Sequence, residues 1–260
     1  MYTVFFEPAG PGRFLATPAT AGPWSADAQH GGPPSALAAR AMDLHEPDDG
    51  MRLARVAVDI LRPVPVGLVT LRTRVVRPGR RVMLLETVME SGGQEVLAAR
   101  GWRIARSAAA PVITSGTAPV PDLPAAASEP YFAGTGHLTG YMSAVEWKFV
   151  SGGFAAMRPC QAWARALVPL LPDEGLTPMS RTLLLADSGS GLSMTLDPSK
   201  FLFINVDLTV VLDRDPAGEW LLLDSATSIG GQGTGLARTQ ISDRDGVTGA
   251  GLQTLLVAPV

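Results

Sequence analysis

Residues 68–76 (LVTLRTRVV) set Val69, Leu71, Thr73 and Val75 against Thr70, Arg72 and Arg74. A period of two predicts a strand with one covered face. Three more runs, 52–62 (RLARVAVDILR), 82–90 (VMLLETVME) and 95–105 (EVLAARGWRIA), read as its neighbours, and RPVPVG, RPGRR and SGGQ between them are hairpin punctuation. Ahead of them, HGGPPSALAARAM predicts a helix from about Gly32 to Leu44, with Pro33 and Pro34 in a first turn where a missing N–H costs nothing. From Ser107 to Gly140 the chain is rich in Ala, Pro, Ser and Thr without apolar periodicity, as a linker would be. Order then returns, with strands expected at 143–150, 161–168, 201–214, 219–229, 234–243 and 248–257 and a helix at 177–187 (TPMSRTLLLAD).

The chain therefore reads as the same unit twice, a helix followed by four antiparallel strands, divided as 1–106, a linker 107–140, and 141–260. Laying Arg62 on Arg214 gives an offset of 152, and Gly93 on Gly246 an offset of 153. Each half has one helix and a long sheet, so the economical packing is a curved sheet wrapped around a buried helix. ALAARAM and TLLLAD are small or apolar almost all round, as such helices must be. The fold class is α+β, with two tandem curved antiparallel sheets, each around a central helix.

Composition narrows the picture further. The 260 residues, 46% hydrophobic and 17% charged, suit a well-cored globular protein. A net charge of −3 offers no footprint for nucleic acid or an anionic membrane. Cys160 is the single cysteine, which excludes an internal disulfide and a four-cysteine zinc site; His30, His45 and His137 are too scattered to suggest a metal. The opening MYTVFFEPAGPGRF lacks the pattern of a secretory signal, and no apolar run is long enough to span a bilayer, so a cytoplasmic protein is expected.

GGPPSALAARA at the first helix, VAVDILRPVPVG in the strand after it, LLLAD ending the second helix, INVDLTVVLDR in the next strand and GLQTLLV near the end, in this order and with the duplication, resemble the TesB-type acyl-CoA thioesterases of the thioesterase-like superfamily. That resemblance implies a double hotdog fold, hydrolysis of a fatty or related acyl-CoA to free acid and coenzyme A, no cofactor, and homo-oligomers. It also implies a catalytic aspartate, threonine and glutamine. The aspartate falls on Asp187 and the glutamine on Gln253, while the threonine position holds Asn205, a departure. Other readings compatible with the sequence are a non-catalytic acyl-CoA or acyl-chain binding protein, and a hotdog hydratase or acyltransferase.

In the implied chemistry Asp187 is a general base for water and the amides of Asn205 and Gln253 orient that water. No G-x-S-x-G nucleophile motif is present. His30, Gly31 and Gly32 are candidate substrate-binding residues, the glycine amides at the helix N-terminus facing the developing oxyanion across the interface between halves. Each residue also has a structural reading. Asp187 before SGSG suits a turn; Asn205 shares its expected strand face with Asp207 and Thr209, opposite Ile204, Val206 and Leu208; Gln253 could be a backbone-satisfied amide, and the glycines a packing pair. Laying the halves together sets Arg40, Leu53 and Arg100 where the second half has Asp187, Asn205 and Gln253, so one catalytic set is expected per chain.

Overall fold

The computed structural model describes residues 2–113, 119–126, 139–154 and 156–260. Residues 114–118 and 127–138 of the expected linker, with His137, lie outside the described residues. The first half runs β1 (Phe6–Pro8), β2 (Arg13–Ala16), α1 (Gly32–Leu44), β3 (Met51–Ile60), β4 (Leu68–Arg77), β5 (Val82–Ser91) and β6 (Gln94–Ala105). The second runs α2 (Tyr141–Ala144), β7 (Val145–Ser151), β8 (Cys160–Ala166), α3 (Pro178–Ala186), α4 (Gly189–Leu192), β9 (Phe201–Asn205), β10 (Asp207–Leu212), β11 (Leu221–Ile229), β12 (Thr234–Asp243) and β13 (Gly246–Pro259). No helix among the described residues is long and apolar enough to cross a membrane.

Strand order shows the repeat directly. The first half is ordered β1-β2-β4-β5-β6-β3 and the second, read from its own edge, β7-β8-β11-β12-β13-β10. The two sequences join where β3 pairs antiparallel with β10, Val56 opposite Val210 and Val58 opposite Leu208, so one sheet runs through both halves. Fine detail repeats at the offset of 152. Thr73 and Thr87 Oγ1 atoms are 2.8 Å apart, and Ser225 and Thr239, their counterparts, bond at 2.9 Å. The bulge that skips Ala54 in β3 recurs at Val206, between β9 and β10.

That bulge corrects the expectation of one strand over 201–214. An extra residue flips the alternation, so Asn205 faces inward with buried Leu208, while Ile204 and Val206 are exposed on the outer face. It also fixes the counterpart of Gln253. Arg100 stands on the outer face, bonded to Glu86, whereas Gln253 is 2% exposed and inward; Gly101 occupies the equivalent place. The strand expected at 143–150 opens with the helical turn α2, and the short strands β1 and β2 were not foreseen.

The helices sit under the sheet, with Ala36 to Ala39 and Met42 of α1 and Leu183 to Leu185 of α3 fully buried. Where the two cross, the backbones nearly touch. A Cβ on Gly32 would lie 2.2 Å from the Leu184 carbonyl oxygen, and Ser180 Oγ donates to the Ala36 carbonyl at 3.1 Å. Only glycine fits at the crossing. Gly32→Ala gains up to about 1 kcal/mol in helix propensity but forces the two backbones apart, a cost of about 1–3 kcal/mol. The expected outcome in urea unfolding is a lowered midpoint with an unchanged m-value.

Candidate functional site

The crossing carries the first turn of α1 against the C-terminal end of α3, where Asp187 is the C-cap at φ −61°. Asp187 is 4% exposed. A carboxylate at the negative end of a helix is disfavoured by that helix's own dipole. Two features offset this. The positive N-terminal end of α1 faces it, so close that a Cβ on Gly31 would meet its oxygens at 2.8 and 2.9 Å. Amide donors also converge on it: Asn205 Nδ2 donates to Oδ1 at 2.8 Å, and Gln253 Nε2 to Oδ1 at 3.3 Å and to the Asp187 carbonyl at 2.9 Å.

Gln253 is thereby fully engaged, since its Oε1 accepts from the Ser190 N–H at 2.9 Å. Its amide braces the turn between α3 and α4 rather than facing a water. Asn205, in the cavity lining, also gives its amide N–H to the carboxylate and to the Asp207 carbonyl at 3.2 Å, and no partner takes its Oδ1 among the described residues. Both residues therefore hold Asp187 through their N–H groups, and the water-orienting role expected of the pair is closed to Gln253.

The glycine pair divides its duties. The His30 N–H bonds the Thr20 carbonyl at 2.7 Å and the Gly32 N–H points at His30 Nδ1, 3.1 Å away, so neither is aimed at a ligand. Gly31 lines the cavity, and no partner takes its N–H among the described residues. The expectation that both glycine amides face an oxyanion thus fails for Gly32, the packing glycine of the crossing.

His30 brings its Nδ1 to 3.0 Å from Asp187 Oδ2. Its ring stacks on Tyr141 with centroids 3.8 Å apart and planes within 6°. Tyr141 is wholly buried; its hydroxyl donates to the Leu184 carbonyl at 2.8 Å and sits 2.9 Å from Ser188 Oγ. Burial lowers the imidazole's proton affinity, more than neighbouring Asp187 raises it, so the contact joins a neutral ring to a carboxylate and is not an ion pair. Tyr141 went unread in the sequence. The only signal for it is an aromatic residue directly after a glycine at the end of the linker-like stretch, and Gly140 has φ 78°.

These groups form one wall of a cavity of about 550 Å³. The rest is largely apolar, with Trp24, Val64, Met142, Phe154, Met194 and Phe203, and Arg62 is the one guanidinium in its lining. The first half's corresponding place is differently filled. Gly32 meets Leu184 as Ser180 meets Ala36, an offset of 148 between the helices that sets Ala39 where Asp187 stands. Leu53 and Gly101 stand where Asn205 and Gln253 would, and buried Arg103 donates to the carbonyls of Met42, His45 and Glu46. Arg40, expected in that place, is the next residue and binds Glu174. Cys160 is no alternative nucleophile, because burial pushes its thiol up to about 12.

A buried carboxylate, a neutral imidazole and a free backbone amide on the wall of an apolar cavity are the equipment of an acyl-transferring or hydrolysing enzyme. Profiles of the acyl-CoA thioesterase N-terminal and C-terminal domains match residues 20–104 and 118–257, and the chain belongs to this family of thioester hydrolases. Solved structures share the fold. A hotdog-fold protein of unknown function from Alicyclobacillus acidocaldarius has TM-score 0.75 at 17% identity, covering 98% of this chain and 96% of its own. The acyl-CoA thioesterase II TesB2 of Mycobacterium marinum gives 0.69 at 14% identity (98% and 95% covered), and a tesB protein of Mycobacterium avium subsp. paratuberculosis 0.68 at 16% (98% and 96%). No curated protein matches the sequence.

The lowered proton affinity of His30 has a consequence for stability. Unfolded, the imidazole takes a proton below about pH 6.5; folded, it resists until lower pH, so the unfolded chain binds more protons in that window. His30 therefore costs stability as pH falls below about 6.5, by at most about 1.4 kcal/mol per pH unit. The titratable groups against the ring are Asp187 and Tyr141, with Arg62 across the cavity. Urea unfolding at pH 7.5, 6.5 and 5.5 is expected to show a shallower decline in His30→Asn than in the wild type.

Proposed function

We propose that the protein hydrolyses a fatty or related acyl-CoA to the free acid and coenzyme A through a water activated at Asp187. The observation that carries this is the buried Asp187 carboxylate, held by Asn205 and Gln253 at the wall of an apolar cavity. The acyl chain occupies the pocket between Met142, Phe154, Met194 and Phe203. The thioester carbonyl lies beside Gly31, whose N–H meets the oxyanion with the positive end of α1 behind it. Asn205 Oδ1 accepts a hydrogen bond from the attacking water, which makes good the hydroxyl that a threonine would supply. In this reading each half, 1–106 and 141–260, is one hotdog unit, and the site is a joint product of both.

Thiol release from short, medium and long acyl-CoAs tests it. The wild type is expected to release coenzyme A with a preference set by the cavity. Asp187→Ala is expected to lose about 10²–10⁴-fold in kcat while unfolding at a comparable urea concentration. Equal release by the two proteins would discard Asp187 as the source of activation.

A further inference from the structure

His30 carries two nitrogens, and the structure gives them different neighbours. Nδ1 is faced by two groups with opposite demands: the Asp187 Oδ2 at 3.0 Å needs a proton there, and the Gly32 N–H at 3.1 Å needs a lone pair. A neutral imidazole can satisfy one of them. A hydrogen bond to a carboxylate is roughly twice as strong as one between neutral groups, which favours the proton on Nδ1, turned to Asp187, at the expense of the Gly32 N–H. A carboxylate directed at a bare Nδ1 lone pair would be repulsive and uncompensated in a buried site. The other nitrogen, Nε2, then holds the lone pair. Nδ1 is turned to Asp187, so the far edge of the ring is the one left toward the cavity that His30 lines.

Three contacts keep this ring in place. Tyr141 stacks on its face, the Tyr141 hydroxyl is tied to the backbone of α3, and the His30 N–H is tied to Thr20. Such bracing is out of proportion to a side chain that merely contacts substrate. A carboxylate that fixes a histidine tautomer, with the free nitrogen facing a reacting centre, is the arrangement by which imidazole is made a directed base.

We propose that His30 is a catalytic residue, its Nε2 taking the proton of the attacking water while Asp187 acts through Nδ1. This rests on the hydrolase reading above and names the atom that receives the proton. The water oxygen forms a bond to the thioester carbonyl carbon as its proton passes to Nε2, leaving an oxyanion at the Gly31 N–H. Collapse breaks the C–S bond and the same proton goes from Nε2 to the departing sulfur, which restores the neutral ring. The imidazolium formed between these steps is stabilised by Asp187 Oδ2. Because His30 belongs to the first half and Asp187 to the second, the dyad exists only across the interface between halves.

The tautomer can be read without substrate. The sequence has three histidines, so the imidazole ¹⁵N spectrum of the whole protein is simple, and His30→Asn assigns one set of signals by removing it. A neutral ring protonated on Nδ1 is expected near pH 7.5; a ring protonated on Nε2, or on both nitrogens, overturns the proposal. His30→Asn separates proton transfer from positioning, because its amide can still donate toward Asp187 but offers no base in the cavity. A fall in kcat of about 10²-fold or more, with KM little changed and the acidic limb of the pH–rate profile altered, is expected. Unchanged kcat and limb overturn the proposal and leave Asp187 as the direct base. Wild-type protein that releases no thiol from any acyl-CoA would instead overturn the hydrolase reading, a result the tautomer spectrum does not share.

Discussion

The close approach of two buried helices governs this molecule. At the crossing a glycine of α1 meets a carbonyl of α3, where any side chain on Gly32 would fall within 2.2 Å of the Leu184 oxygen. The approach sets how far the α1 N-terminus slides past the end of α3, and hence that His30 and Gly31 lie against Asp187. The sheet follows the same geometry, since β3 and β10 pair at the seam directly above the helices. Separating the helices by even the width of a methyl group would take the imidazole out of hydrogen-bond reach of the carboxylate. Packing and chemistry therefore depend on the same few atoms.

Electrostatics explains why the second half needs the first. Asp187 ends a helix whose own dipole opposes it, and it is withdrawn from water. Within its own half it gains the amides of Asn205 and Gln253. The remaining compensation crosses the interface, from the positive end of α1 and from His30. A buried carboxylate without partners would be severely destabilising, so the contacts that make Asp187 tolerable are the same ones that direct it.

Much of the fold is legible in the sequence because its signals are periodic and local. The alternation in 68–76, the all-apolar helices and the hairpin turns RPGRR and SGGQ found their places, whereas RPVPVG joins β3 to β4, which do not pair. The repeat was legible too, at an offset of 152 that the hydroxyl pairs Thr73–Thr87 and Ser225–Thr239 reproduce. Failures arose where one residue changes a face. An offset of 153 set Gln253 against outward Arg100 in place of inward Gly101, and the single residue Val206 turned Asn205 from the outer face to the inner. Alternation carries parity, and a bulge erases it without altering composition. Asp187, Asn205 and Gln253 could be named from family resemblance, but their mutual hydrogen bonds could not. The stack of Tyr141 on His30 joins positions over a hundred residues apart with no shared motif, so nothing in the sequence announced it.

The asymmetry between the two ends of the interface is the feature a fused chain permits. In a symmetric pair of identical units, a histidine before one helix and an aspartate after the other would necessarily occur twice. Here the two ends have diverged. At one, Asp187 meets His30, Gly31, Asn205 and Gln253 beside an apolar cavity. At the other, Ala39 stands in the place of the aspartate, Leu53 and Gly101 offer no amide, and Arg103 caps the carbonyls at the end of α1. That arginine satisfies the orphan acceptors of the helix it seals, a structural use of space that a second catalytic site would have required. Carboxylate and imidazole are thus brought together at one end, and an alanine takes the carboxylate's place at the other. The difference between the two ends thus comes down to which side chains the halves put at positions that the helix crossing brings together in either case.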